Sequence, residues 1–252
     1  MILTLLLAFP AFSETSVQIS KTDEPETTVR KKSKTDILKP YTAELTGHMK
    51  GMPMKASGSR SLQKHTDGSW ELNFDAGIGA FMDIAEHSSF NLSQGHIKPE
   101  AYSYKRSGLI GSKKEENARF DWKKAQVNWQ KNKKKWAIKL QQGALDNLSY
   151  QTQLRLDLAA GKKDLSYLIV DEDEVYERSF TNEGEEFVQT SAGKLKAVKV
   201  KINRDNDKRE TYIWFAKDWD YFFIKLLQKE AGTEYTVEIK SASIDGQPIK
   251  GI

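Results

Sequence analysis

Residues 125–140 read AQVNWQKNKKKWAIKL, and the fold turns on whether this stretch is helix or sheet. Trp122, Trp129 and Trp136 recur at intervals of seven, which a helix would gather into one stripe. The intervening residues argue otherwise. Ala125, Val127 and Trp129 alternate, as do Trp136, Ile138 and Leu140, and period two is the mark of a half-buried strand. Asn132 and the surrounding lysines supply a turn. Folding there sets Trp129 opposite Trp136 as a cross-strand aromatic pair. Lys131, Lys133, Lys134 and Lys135 then form a solvated loop tip.

The same period runs outward from this hairpin. Tyr41, Ala43 and Leu45 share one face, as do Trp70, Leu72, Phe74 and Ala76, and later Tyr235, Val237 and Ile239. Turn signals separate the runs at Thr66-Asp67-Gly68, Ala192-Gly193, Asn203 to Asp207, Ala231-Gly232 and Asp245-Gly246. Connections this short make neighbouring strands antiparallel, since parallel pairs need long crossovers. One segment departs from the pattern. Asp146 to Ala160, followed by Gly161, predicts a helix with Asp146 as N-cap and the glycine as its stop. Leu148, Thr152, Leu156 and Ala159, widened by Leu154 and Leu158, form an apolar face for the sheet. A sheet of about a dozen strands exceeds the usual size and must curl or split. The expected class is mainly β: a large curled antiparallel sheet, half-barrel or barrel-like, with one helix near residues 146–160 packed on it.

The organisation has three parts. Residues 1–13 hold a short apolar run, a break at Pro10 and the small residues Ala11 and Ser13, the layout of a signal peptide cleaved between Ser13 and Glu14. Residues 14–39 are mostly polar, with a basic cluster from Arg30 to Lys34, and read as a disordered linker. Residues 40–252 read as one β-rich domain. The net charge of +4 is small against 39 basic and 35 acidic residues, and does not point to nucleic acid. No run after the first is apolar enough to span a bilayer. The absence of cysteine leaves no disulfide, thiolate metal site, cysteine nucleophile or lipid-modified cysteine. The expected location is the periplasm.

Several strings keep a common order along the chain. They are Tyr41 with Ala43; Pro99 with Tyr102, Tyr104 and Arg106; Phe120-Asp121-Trp122; DNLSYQTQLRLDLAAG from Asp146; EEFVQTSAGKLKAVKV from Glu185; and IWFAKD from Ile213. In these the chain from about Pro40 to Ile244 resembles the exported bacterial proteins grouped as domain of unknown function 3108. The resemblance implies a periplasmic, mostly antiparallel β protein and implies no reaction. Where that family commonly carries a proline after the IW string, this chain reads Tyr221-Phe222-Phe223-Ile224.

No catalytic motif stands out. There is no G-x-S-x-G elbow, and His48, His65, His87 and His96 fall in strand or turn text. His48, Met49, Met52 and Met54 offer copper-type ligands, but Gly51 and Pro53 mark a hairpin bend that explains them. Asp171 to Glu174 lacks calcium-loop spacing and reads as a hairpin tip. No metal and no cofactor is therefore expected. Asp75, Asp121, Asp146, Glu185 and Glu186 are available for hydrolase chemistry, which needs two carboxylates held close together. Arg155 and Glu186 are the polar residues least easily explained, because a buried charge must be paired or used. Trp70, Phe74, Tyr102, Tyr104, Trp122 and Trp214 could line the concave face of a curled sheet or fill a closed core. The main expectation is a non-catalytic envelope protein that holds a lipid, a glycan or a protein partner. A carboxylate hydrolase of envelope polymers and an assembly factor without a small ligand are the alternatives.

Overall fold

The computed structural model describes residues 33–51, 55–109 and 111–252. The expected signal segment, the Ser13–Glu14 cleavage point, most of the linker and the Met52–Met54 part of the copper motif lie outside the described residues. A short helix α1 (Lys34–Ile37) leads into β1 (Tyr41–Met49), β2 (Lys55–Lys64), β3 (Trp70–Ile78), β4 (Met82–Ser93), β5 (His96–Ser107), β6 (Lys114–Asp121), β7 (Gln126–Lys131) and β8 (Lys134–Lys139). Helix α2 (Ser149–Ala159) follows. Then come β9 (Leu165–Asp171), β10 (Glu174–Thr190), β11 (Gly193–Ile202), β12 (Arg209–Ala216), β13 (Phe222–Glu230), β14 (Thr233–Ile244) and the short β15 (Gln247–Pro248).

The strands form one antiparallel sheet in the order β8 to β1, then β14 down to β9. Two meanders are thus joined where β1 pairs with β14. The sheet curls but does not close by strand pairing, because its edges β8 and β9 do not pair with each other. Side chains and a loop cover the seam. Trp136 of β8 donates its indole N–H to the Glu172 carbonyl (3.1 Å) at the β9–β10 turn. Leu145, in the loop before α2, exchanges backbone hydrogen bonds with Leu168 and Val170 of β9 (2.9 and 2.8 Å). The outer edge strand β8 carries Lys134, Lys135 and Lys139, charges that discourage a further strand from adding there.

Local sequence explains the turns. Gln94-Gly95, Ala231-Gly232 and Asp245-Gly246 place two successive residues at positive φ, the geometry that matches the twist of tight hairpins. The expected hairpin forms, with Asn132 at φ 52° in its tip and Trp129 directly opposite Trp136. Its lysines do not all stand in solvent, however. Lys131 turns back to Glu172, because its strand position faces the interior (2.6 Å).

Helix α2 differs more from expectation. It begins at Ser149, and Leu148 occupies the N-cap position without a side-chain cap. Asp146 acts from two residues earlier, its Oδ1 accepting from the backbone N–H groups of Leu148 (2.9 Å) and Ser149 (2.7 Å). Nor does the helix lie with one face on the sheet. Thr152, Gln153, Arg155 and Asp157 are buried along with Leu154, Leu156 and Leu158, so the helix sits inside the curl. Its lower polar groups are matched there. Gln153 accepts from the Ile97 N–H (2.8 Å) and donates to Asp157 (3.0 Å), which also accepts from the Tyr167 hydroxyl (3.0 Å). Residues 33–39, read from composition as the linker's end, belong with this packing. Ile37 and Leu38 are buried in the core, and apolar pairs of this kind are too short to register against a polar run.

Antiparallel meanders gather alternate turns at the same end. One end, the rim, carries the β1–β2, β3–β4, β5–β6, β7–β8, β9–β10, β11–β12 and β13–β14 turns, and the other, the base, carries the remaining turns between consecutive strands. Arg155 on α2 bonds to carbonyls of Asp220 and Ile37, both at the base. The helix therefore fills the lower part of the curl and leaves the upper part unfilled.

Candidate functional site

The unfilled part is a cavity of about 370 Å³. Its floor is the first half of α2, from Leu148 to Arg155, and its walls come from β1–β6, β9 and β11–β14. It reaches the rim at Met49, Ile78, Phe81 and Tyr235, and Phe81 is one of the few large apolar side chains that remain exposed. Most of the wall is apolar, including Leu45, Phe74, Ile213, Phe215, Phe222 and Leu226.

Register explains where its polar groups stand. Residues directly opposite one another run Ala43, Arg60, Phe74, Glu86, Tyr104, Glu116 and Lys131 from β1 to β7. This row faces inward, with charged and aromatic side chains interleaved. The next row toward the base runs Leu62, Leu72, Ser88, Tyr102, Ala118, Trp129 and Trp136 and is nearly all apolar. One step along the strands thus separates packed core from cavity wall, with Tyr102 reaching from the lower row to the wall.

The charges divide by side. At the base corner, Arg60 donates from Nε to the Tyr41 hydroxyl (2.9 Å) and from Nη1 to the Gln151 amide oxygen (2.6 Å). Arg155 lies beside it, 4% exposed, with its guanidinium carbon 5.8 Å from the Tyr41 ring centre and 5.6 Å from that of Phe222. Its Nε donates to the Asp220 carbonyl (2.8 Å) and Nη2 to the Ile37 carbonyl (3.4 Å), while Nη1 is buried without a hydrogen bond. Its hydrogen-bond partners are thus backbone carbonyls rather than a carboxylate. Burial holds its pKa below the usual guanidinium value.

The acids stand across the cavity. Glu86 accepts the Tyr102 hydroxyl (2.6 Å), and burial drives its pKa up to about 7 against that hydrogen bond. Burial also raises Glu116 to about 7, although Lys114 stands 2.9 Å away. Its neighbour Glu172 goes the other way. Burial opposes ionisation there too, but hydrogen bonds from Lys131 and Lys114 hold the carboxyl low. Asp171 is raised by burial.

Of the residues singled out in the sequence, Phe74, Tyr102, Tyr104 and Arg155 come together on this wall. The others do not. Trp70 shares the inward face of β3 but packs at the base end, with Lys64 over its ring (5.6 Å). Trp122 follows β6, stacks on Phe120 and donates to the Pro99 carbonyl (2.7 Å). Trp214 lies on the outer face, because Ile213 and Phe215 take the inward positions, and its indole N–H donates to Glu186 there. None of the carboxylates considered for hydrolase chemistry lines the cavity. Asp146 is used by the start of α2 and Ser88 (2.7 Å), and Glu185 by Lys196 and Lys217. Arg60, Glu86, Glu116 and Gln151 were not singled out, Asp171 was considered only for calcium, and phase was the available signal. Glu86 falls in step with Met82, Ile84, Ser88 and Phe90, and a charge at an apolar phase marks an inward-facing polar group. Among the described residues no group of three or more histidines and carboxylates is arranged to hold a metal ion. No helix among them is long and apolar enough to cross a membrane.

The model of the family described as Protein of unknown function (DUF3108) matches residues 62–240. The chain belongs to this family. The matched span begins late in β2, so β1 and its Tyr41 stand outside it although they complete this DUF3108 member's cavity. No curated protein matches the chain. Among solved structures, a β-barrel-like protein of domain of unknown function DUF1849 from Brucella abortus is similar at 9% identity and TM-score 0.55, covering 82% of this chain and 98% of that one. That likeness concerns the fold alone. A candidate outer membrane lipoprotein-sorting protein domain from Vibrio parahaemolyticus overlaps at 8% identity and TM-score 0.19, covering 82% and 85%.

Proposed function

We propose that this protein is a non-catalytic, exported envelope protein that holds a lipidic ligand in its cavity. One observation carries the reading: the upper half of the curled sheet encloses an apolar cup, while the lower half is filled by α2. The volume lies within the ~300–1,000 Å³ typical of small-molecule sites. A glycan would need a wall rich in paired polar groups, and this wall presents mostly aliphatic and aromatic side chains. Export is supported by the apolar run before Pro10 and the small residues ahead of Glu14.

Native mass spectrometry of the protein purified from the periplasm tests the reading. A co-purifying lipid is expected, and delipidation should lower the melting temperature. A chain that carries no lipid and melts at the same temperature before and after extraction overturns it. Ala76→Trp, which fills the cup from β3, should exclude the lipid while leaving the strand content unchanged.

A further inference from the structure

We infer that the cup receives a single-chain anionic amphiphile head first, with its oxyanion on Arg155 at the floor and its chain toward the rim. The inference rests on the lipid reading above and assigns the headgroup and its direction. Three observations support it. Arg155 lines the cavity, is buried and forms no salt bridge, the Asp220 carboxylate acting on it only through space, and its Nη1 makes no hydrogen bond. A buried cation left short of partners is costly, and an incoming anion would relieve that cost where a neutral head would not. Arg60 lines the same corner, with its Nη1 held by Gln151, so a second positive charge stands near the first. Tyr41 and Phe222 pack edge to face (5.0 Å between ring centres) and hold the Arg155 guanidinium in place.

The distribution of acids agrees with the direction. Glu86, Glu116 and Asp171 line the cavity from β4, β6 and β9, away from the Arg155 corner, and Lys114 stands with them. Along the cross-strand row Glu86 is two strands from Arg60, or roughly 10 Å at the usual strand spacing. An anion at the floor meets cations first. The same anion near the rim would lie among Met49, Ile78 and Phe81 or beside Lys114, whose charge Glu116 and Glu172 already engage (2.9 and 3.0 Å). Carboxylate and phosphate monoester share the needed chemistry, since both accept paired hydrogen bonds from a guanidinium.

Titration of the full chain with hexadecanoate, hexadecyl phosphate and hexadecanol separates the possibilities. The chain length is common to all three, so the head alone differs. The wild type should bind at least one anion about tenfold or more tighter than the alcohol, the scale of one charge-assisted hydrogen bond. Arg155→Met should bring that ratio close to one and leave hexadecanol binding unchanged, whereas Arg155→Lys should keep part of the preference. If the Met variant does not fold, Arg155→Gln carries the same comparison. Whichever anion the wild type prefers identifies the head as carboxylate or phosphate. Equal binding of all three by the wild type, or an equal loss of all three in the variant, overturns the inference while leaving the cup reading intact. Failure of every amphiphile to bind overturns the cup reading itself.

Discussion

Replacing Glu86 by glutamine should change how stability depends on pH. Glu86 is hydrogen-bonded by Tyr102 and titrates at about 7 in the folded chain, against an ordinary value of 4.5. Below pH 4.5 both folded and unfolded chains carry the proton, and the residue contributes nothing to the dependence. Between 4.5 and 7 the unfolded chain ionises first, so folding takes up a proton and stability falls as pH rises. Above 7 both states are ionised and the full penalty remains. At about 1.36 kcal/mol per pH unit that interval corresponds to an upper figure of about 3 kcal/mol, reduced to the extent that cavity water solvates the carboxylate. Glu86→Gln keeps the acceptor for Tyr102 and removes the titration. Urea unfolding of both proteins from pH 4 to pH 8 gives the difference curve. The variant should gain on the wild type as pH rises through the interval, and the gain should level off above it. Glu116 titrates in the same range in both proteins, so it cancels in the difference. A flat difference curve, or one in which the wild type gains with pH, refutes the assignment of a half-buried carboxyl at the cavity wall.

Asp146→Ala removes the acceptor for two backbone N–H groups at the start of α2 and for the Ser88 hydroxyl, and should cost about 2–3 kcal/mol in urea unfolding. Asp146→Asn keeps Oδ1 as an acceptor and should lose clearly less; equal losses would show that the cap-like bonds contribute nothing. Gln153→Met leaves the buried Ile97 N–H without its partner and should cost about 1–3 kcal/mol, read as a lower urea midpoint with unchanged slope.

The parts of this fold that were legible in the sequence are those set by a local period. Alternation identified the inward faces of β1, β3 and β7, and the turn at Asn132 resolved the three spaced tryptophans into a hairpin. Gly161, at φ 71°, stops the helix as expected. The embedding of α2 was not legible, because Gln153, Arg155 and Asp157 look like a solvent face until Ile97, Asp220 and Tyr167 are brought to them from distant strands and turns. The outward placement of Trp214 and Glu186 was not legible for a related reason. Four successive side chains, Ile213 to Ala216, are buried at a register shift, and apolar character alone cannot say which of them face inward. Arg60 and Glu86 were legible in phase, since each sits at an inward position of its strand. What marked them was their conflict with the pattern around them.

That conflict separates packing from function within a single helix. The polar side chains on the lower part of α2 are matched: Gln153 and Asp157 bond to each other and to Ile97 and Tyr167. The unmatched polar atoms of this region, Arg155 Nη1 and Asn147 Oδ1, belong to residues that line the cavity. A chain that only needed a filled interior could have used aliphatic residues there, as it does at Leu148 and Leu154. Buried polar groups left short of partners weaken a fold, and they persist where another requirement holds them. Here they sit with a carboxyl kept near neutrality and with an apolar volume that no side chain of the described residues occupies. Arg155 Nη1 and Asn147 Oδ1 stand at the floor of that volume, where the proposed ligand with an apolar chain and a charged head would meet them.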